Sequence, residues 1–335
     1  MNYYFVSFII NVIFCYNNVT NLTKMLLKPQ SEIRKHYFLN RYVVITPGRA
    51  KRPLDVHEHS IIEKTESCVL CPAKIEKNLI LDWTGNKKKW QIMVLKNKFP
   101  AFTINNPKAQ GQQEVIIETP IHGQYMAELT LEHLTRILKT YVSRVKRFET
   151  DKKINYILIF KNSGSKAGAS LHHSHSQTFA SHLLPPKIAE KLAQFTAYQQ
   201  EHDSCPYCDA IKLEIKNKSR IISNNSLITT IAPYASEYHY EAWILPKRHV
   251  VSITELTTKE LVAIAEQLKL ILSKLKEQQI SFNFSFDYIP GNLNDHLHIK
   301  IQPRDSTWAG VEMNTGLVIN SIPPEDAAKF YKFSK

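Results

Sequence analysis

No apolar run in this sequence is long enough to cross a bilayer. A helical span needs about 20 consecutive apolar residues. The strongest candidate, "FVSFIINVIF" at residues 5–14, falls well short of that. The same segment lacks the basic start and the small-residue cleavage site of a secretory signal. Cysteine is scarce too. Only five are present, and four of them form two close pairs, "CVLC" (Cys68, Cys71) and "CPYC" (Cys205, Cys208). That pattern excludes a disulfide scaffold and fits a reducing compartment, so the protein reads as cytoplasmic. Acidic residues are outnumbered, 30 against 43 basic, for a formal net charge of +13. Such a surplus favours an anionic partner. Nucleic acid fits poorly: the aromatic-and-basic strands of an RNA-recognition fold are missing, and the cysteine pairs lack finger spacing to an H-x-H. The densest basic run, Lys87-Lys88-Lys89, reads as a solvated face.

What is present is enough for a large core. The chain has 335 residues, 43% of them hydrophobic, which suits two domains or one domain built twice. Residues 1–30 read as a leader, disordered or a non-native start, with 1–24 dispensable and a weak membrane anchor as the runner-up. The cysteine pairs read as metal knuckles rather than redox pairs. A thioredoxin-like pair opens a helix after a buried strand, and neither pair follows such a strand.

The sequence repeats itself. "EVIIETPIH" (114–122) and "EAWILPKRH" (241–249) share one Glu-to-His interval and read as strands. A helix should follow each. Leu131, Leu134, Leu138, Tyr141, Val142 and Val145 recur at helical spacing, as do Leu261, Ile264, Leu268, Ile271 and Leu275. Thr257 and Glu260 predict a capping box. Strands come next at "INYILIFKN" (154–162) and "SFNFSFDYIP" (281–290), and each half ends on histidines, "HHSHSQ" and "HLHIKIQ". A structural zinc wants four Cys and His ligands. Each half offers such a set: Cys68, Cys71, His122 and His173, then Cys205, Cys208, His249 and His296. Two zinc ions per chain are therefore expected.

His175 and Gln177 are left over from the first set. Residues two apart on a strand share a face, so His173, His175 and Gln177 should point one way. An unligated imidazole is a nucleophile near neutral pH. Gln177 adds an amide donor, and the Gly164, Gly168 and Ser170 turn should bring backbone N–H groups near a phosphate. The stretch reads as a phosphate-facing nucleophile with donors around it. A zinc-stabilised nucleotide-binding module without turnover is the reading from another class; it would have no use for His175.

These stretches resemble the galactose-1-phosphate uridylyltransferase family of the histidine-triad superfamily. The resemblance covers about residues 31–330 and rests on "RYVVITPGRAKRP", "CVLC", "NKFPAF", "EVIIETPIH", "FKNSGSKAGASLHHSHSQ", "APYASEYHYEAWILPKRH", "DHLHIKIQPR" and "AGVEMNTGLVINSIPPEDAA". It implies a duplicated α+β fold, each half an antiparallel sheet with a packed helix and a zinc site. The halves would be 31–185, carrying the nucleophile, and 186–335. It also implies ping-pong chemistry. His175 would attack the α-phosphorus of UDP-glucose, release glucose 1-phosphate, and pass UMP to galactose 1-phosphate. Gln177 matches the residue that bonds the phosphoryl group. Ser170 and Asn162 match phosphate and nucleotide contacts, Arg49, Arg52 and Asn97 match further nucleotide contacts, and Glu312 matches a sugar-hydroxyl ligand. Family members dimerise with sites near the subunit boundary, so a homodimer is expected, with no membrane partner.

Two departures stand out. Ser174 lies where many members have proline, and it should point away from the cleft. After Glu312 the chain reads "NTGLVINS" without the hexose-holding glutamine of many members. That version looks like the shorter two-zinc members, which include both uridylyltransferases and plant ADP-glucose phosphorylases. ADP-glucose or dinucleoside polyphosphate phosphorolysis is therefore the alternative. His298 reads as a histidine kept from duplication without catalytic duty, or as a contact in a partner's site.

Overall fold

A computed structural model describes residues 30–51, 68–86 and 89–332. The leader, except residue 30, and Arg52 lie outside the described residues. Branched and aromatic side chains alternate along β1 (Glu32–Lys35), β2 (Tyr42–Ile45), β3 (Ile80–Asn86), β4 (Lys89–Lys96), β5 (Gly111–Ile117), β6 (Tyr156–Ser163) and β7 (His175–Ser181). The second part of the chain supplies β8 (Ile221–Asn224), β9 (Ile228–Ile231), β10 (Ala242–Pro246), β11 (Phe282–Tyr288), β12 (Ile299–Pro303) and β13 (Val318–Asn320). The helices are α1 (Leu131–Glu149), α2 (Pro186–His202), α3 (Pro206–Asn217), α4 (Thr258–Glu277), α5 (Gly310–Thr315) and α6 (Pro324–Lys332). The fold is α+β. None of these helices is long and apolar enough to cross a membrane.

Ten strands form one sheet in the order β3-β4-β5-β7-β6-β11-β12-β10-β9-β8, and every pairing in it is antiparallel. The order reads the same way outward from its centre. β6 and β11 meet there, from Phe282 opposite Ser163 to Tyr288 opposite Ile157. The two expected halves thus share one continuous sheet. A three-stranded sheet, β1-β2-β13, sits apart and pairs Val318 with Val43 in parallel.

One face of the large sheet packs against α1 and α4. Ile157, Ile159, Phe284, Phe286, Ile299 and Ile301 meet Leu134, Leu138, Leu268 and Ile271 in a single core. Fully burying side chains of this size contributes about 1.5–3 kcal/mol each. Both helices start where the sequence says. The Thr130 side chain caps α1, and Thr257 and Glu260 form the expected capping box on α4. The other face is treated differently in the two halves. Over β10 and β12 it is covered by α2, α3 and the β1–β2 connection, through Phe195, Tyr207, Tyr37 and Phe38. Over β7 it opens on a cavity.

The register corrects one expectation. Taking the two H-x-H motifs as equivalent, Gln177 corresponds to Lys300. Val115 pairs with Gln177, and Trp243 pairs with Lys300. Glu114 therefore corresponds to Ala242, one residue past Glu241. The equal Glu-to-His spacing is a coincidence of a one-residue difference in the following loop. Glu114 binds Arg144 of α1, whereas Glu241 accepts from the Trp243 indole and the Glu237 amide.

Candidate active site and metal centres

Each C-x-x-C closes a short turn. The Cys71 amide donates to the Cys68 carbonyl, and Cys205 is the residue from which α3 begins. The second pair thus does open a helix, but it follows α2 rather than a strand. In each half the two thiols meet two imidazoles. Within each four-residue set, Cys68–Cys71–His122–His173 and Cys205–Cys208–His249–His296, the ligand atoms lie within 4.8 Å of one another. The Sγ to Nδ1 separations are 3.8, 3.5 and 3.7 Å in the first set and 3.9, 3.5 and 3.4 Å in the second. Ligands on a tetrahedral zinc stand about 3.5–3.8 Å apart at the usual bond lengths. His173 donates Nε2–H to the Thr119 carbonyl at 2.7 Å, and His296 donates to the Pro246 carbonyl at 2.9 Å. Those bonds fix the tautomer and leave Nδ1 toward the thiols, as metal-bound histidines require. Both sets can hold a metal ion.

His173 does not share a strand face with His175. The strand β7 begins only at His175, because His173 is turned into the thiol cluster. His175 and Gln177 do share a face, and Ser176 and Thr178 point to the core. The His175 Nδ1–H donates to the His173 carbonyl at 2.8 Å. That leaves Nε2 with a free lone pair. Burial, then the Lys161 charge, lowers the His175 pKa below the ordinary imidazole value, against raising contributions from the His173 carbonyl and Glu118. The ring is neutral and nucleophilic at pH 7.

His175 lines a cavity of about 280 Å³, together with Asn162, Ser170, Gln124 and Tyr125. Its floor turns at Gly164, whose φ is +85°; a Cβ there would stand 2.2 Å from Ser281 Oγ. The turn amides are less available than expected. Those of Ala167, Gly168 and Ala169 donate to carbonyls within the turn itself. Side chains remain as donors. Asn162 Oδ1 accepts from Asn283, so its amide nitrogen is the group left for a ligand. Ser170 is exposed on the wall.

The other expected contacts are not part of this lining. Gln177 lies one pleat along β7, between Val115 and Phe160. Asn97 caps its own loop by accepting the Phe99 amide. Arg49 and Glu312 are linked through charge. Burial raises the Glu312 carboxyl, but backbone hydrogen bonds and the Arg49 charge bring it below its ordinary value. One group had no sequence signal. Lys161 and Glu118, both buried, form an ion pair at 2.7 Å beneath the H-x-H turn. Ser174 is turned into that pair, its hydroxyl donating to Glu118 at 2.6 Å. A lone lysine in a strand and a lone glutamate after one carry no motif; only the fold brings them together.

Residues 53–183 match the N-terminal domain of a family of unknown function, DUF4931, and residues 191–306 match the galactose-1-phosphate uridyl transferase C-terminal domain. The chain is 31% identical to the ADP-glucose phosphorylase of Arabidopsis thaliana over 325 residues, covering 89% of this chain and 91% of that one. It is 26% identical to the galactose-1-phosphate uridylyltransferase of Thermotoga maritima, covering 89% and 96%. Its structure superposes on the crystal structure of the Arabidopsis phosphorylase with bound ADP-glucose at a TM-score of 0.80 and 30% identity, over 91% of this chain and all of the other. Fold and relatives together define a nucleotidyltransferase. The chain belongs to the galactose-1-phosphate uridylyltransferase family.

Proposed function

We propose that the protein is a UDP-glucose–hexose-1-phosphate uridylyltransferase working through a uridylyl-histidine on His175. The observation that carries this is the free Nε2 of His175, facing a cavity, with its tautomer set by the His173 carbonyl. In the first half-reaction Nε2 bonds to the α-phosphorus, the bond to the bridging oxygen breaks, and hexose 1-phosphate leaves. The second hexose 1-phosphate then reverses the step. Gln177, Ser170 and the Asn162 amide donate to the phosphoryl oxygens as charge builds on them. The halves are read as a duplicated unit, each stabilised by a structural zinc in a closed four-ligand site.

A second reading has its own support. The 31% identity and 0.80 superposition are with an ADP-glucose phosphorylase, whose acceptor would be inorganic phosphate. The first half-reaction and the role of His175 are then unchanged. Incubation with labelled UDP-glucose or ADP-glucose separates the two. The donor that leaves acid-labile, base-stable nucleotide on the wild-type protein, and none on His175→Gly, is the substrate. Label on neither protein removes both readings.

Neither Arg49 nor Glu312 lines this cavity, and we propose that they complete the site across a homodimer boundary. Mixing inactive His175→Gly and Glu312→Ala proteins should then restore partial activity. No recovery on subunit exchange would place each site within one protomer.

A further inference from the structure

We propose that Lys161 is a positioning residue for His175, holding the nucleophile's peptide carbonyl through a hydrogen bond that Glu118 and Ser174 aim. The proposal rests on the reading of His175 as the nucleophile. Lys161 projects from β6 and is only 3% exposed. An ammonium has three protons, and Lys161 Nζ has three acceptors: Glu118 Oε2 at 2.7 Å, the His175 carbonyl at 2.9 Å and Ser174 Oγ at 3.1 Å. The Ser174 hydroxyl in turn donates to Glu118 Oε2. Tyr141 reaches Glu118 Oε1 at 3.4 Å, and His133 holds the Glu118 carbonyl at 2.7 Å. The Tyr141 hydroxyl also donates to Ser176 Oγ at 2.8 Å, and Lys161 and Ser174 stand at the cavity lining beside His175, whose carbonyl is the cluster's link to the nucleophile.

That contact completes a clamp. The ring is tied through Nδ1 to the carbonyl before it, and the peptide after it is tied to Lys161. The imidazole is therefore fixed from both ends of one residue.

Stability does not account for the charges. A buried ion pair seldom adds net stability, and apolar residues of similar volume can replace one without loss. The other half of this molecule makes that replacement. By register, Phe286 stands where Lys161 does and Leu297 where Ser174 does, and both are 3% exposed. The second histidine still makes the same bond, His298 Nδ1 to the His296 carbonyl, at 2.8 Å. Apolar packing is thus sufficient to build the H-x-H turn. The charged version is found only beneath the histidine that faces the cavity.

A net-neutral pair suits the chemistry. When the Nε2–P bond forms and the P–O bond to the sugar phosphate breaks, the ring keeps its Nδ1 proton and becomes positive. Lys161 alone behind it would oppose that charge; Lys161 with Glu118 holds position without adding net charge.

The test uses the full-length protein and single-turnover formation of nucleotidyl-protein from labelled nucleotide sugar. The Lys161→Met/Glu118→Leu double variant should keep two metal equivalents and the wild-type nucleotide-sugar affinity, yet nucleotidylate about 100-fold more slowly, the effect of a misplacement near 1 Å. Glu118→Gln, which strands the Lys161 charge behind the ring, should be slower than the double variant. A double variant that reacts within threefold of wild type overturns the proposal. Should it fail to fold, Ser174→Ala decides: a several-fold lower kcat at unchanged KM supports the clamp, and an unchanged kcat overturns it. A wild-type protein that takes up no label removes the His175 reading itself, and the clamp with it.

Discussion

His175 and His298 are held alike and placed oppositely. Each donates Nδ1–H to the carbonyl two residues back at 2.8 Å, and each follows a histidine that joins a four-ligand set. His175 faces a cavity. His298 lies against the Tyr207 ring at 4.4 Å and the Trp243 ring at 5.3 Å, beneath α3. The neighbours differ in kind as well. Asn162 and Gln177 in one half correspond by register to Asp287 and Lys300 in the other, and Asp287 is tied to Lys191 of α2. The backbone motif therefore supplies an oriented imidazole, and the layer over the sheet decides whether it faces a cavity. α2 and α3 cover His298 and leave it no such cavity among the described residues.

The largest break in this comparison comes from removing each ring. His175→Gly should abolish covalent labelling, a loss of at least about 10⁴-fold, comparable to losing a nucleophile elsewhere. Nucleotide binding should persist, and added imidazole should act as the missing nucleophile. His298→Gly should leave labelling within about threefold while lowering thermal stability. Equal labelling in the two variants would erase the distinction.

Metal comes next. Cys71→Ser and Cys208→Ser should each lose one metal equivalent. If either costs even about 3 kcal/mol of the roughly 10–16 measured for zinc-finger peptides, the unfolding midpoint of a chain this long drops by about 4–5 °C. Stability should suffer similarly in both. Activity of the folded fraction should fall further in Cys71→Ser, because His173 carries the carbonyl that fixes the His175 tautomer. Metal analysis with calorimetry and single-turnover labelling on the same samples would show the split; matched activities would sever the first site from the chemistry.

The donor beside each histidine gives a smaller contrast. Gln177→Ala should lower kcat by about 2–4 kcal/mol with little change in KM, as for an oxyanion donor. Lys300→Met should leave steady-state turnover unchanged, since Lys300 Nζ lies over the Trp243 ring at 5.3 Å and not at the cavity. A Gln177 effect confined to KM would demote it to ground-state binding.

Much of this was legible in the sequence because it is periodic or paired. Leu134, Leu138, Tyr141 and Val145 are buried as helical spacing predicted, and β6 and β11 begin within two residues of the expected strands. The C-x-x-C spacing is a local code, and the histidines that join each pair stood out because they recur in both parts of the chain. Other features have no local code. Val318 pairs with Val43 across most of the chain, which is what brings Glu312 near Arg49. The strand was expected to include His173, but ligand geometry outcompetes alternation there. Spacing alone also matched Glu114 with Glu241, since a one-residue loop difference is invisible without pairing partners.

The smallest expected effect sharpens the comparison most. His298→Phe keeps an aromatic ring between Tyr207 and Trp243. It deletes the Nδ1–H bond to the His296 carbonyl, which is worth about 0.5–1.5 kcal/mol net. It also deletes Nε2, a buried acceptor that no protein group reaches among the described residues. Burying such an atom without a partner costs about 1–3 kcal/mol. The two changes oppose each other, so stability should move by no more than about 1 kcal/mol in either direction, read from urea midpoints of metal-loaded protein at constant m-value. His175→Phe, made alongside, should be similarly mild in stability and inactive in labelling. A loss beyond about 3 kcal/mol in His298→Phe alone would show that the covered histidine does more than fill space, and the second half could no longer serve as the inert reference for the first.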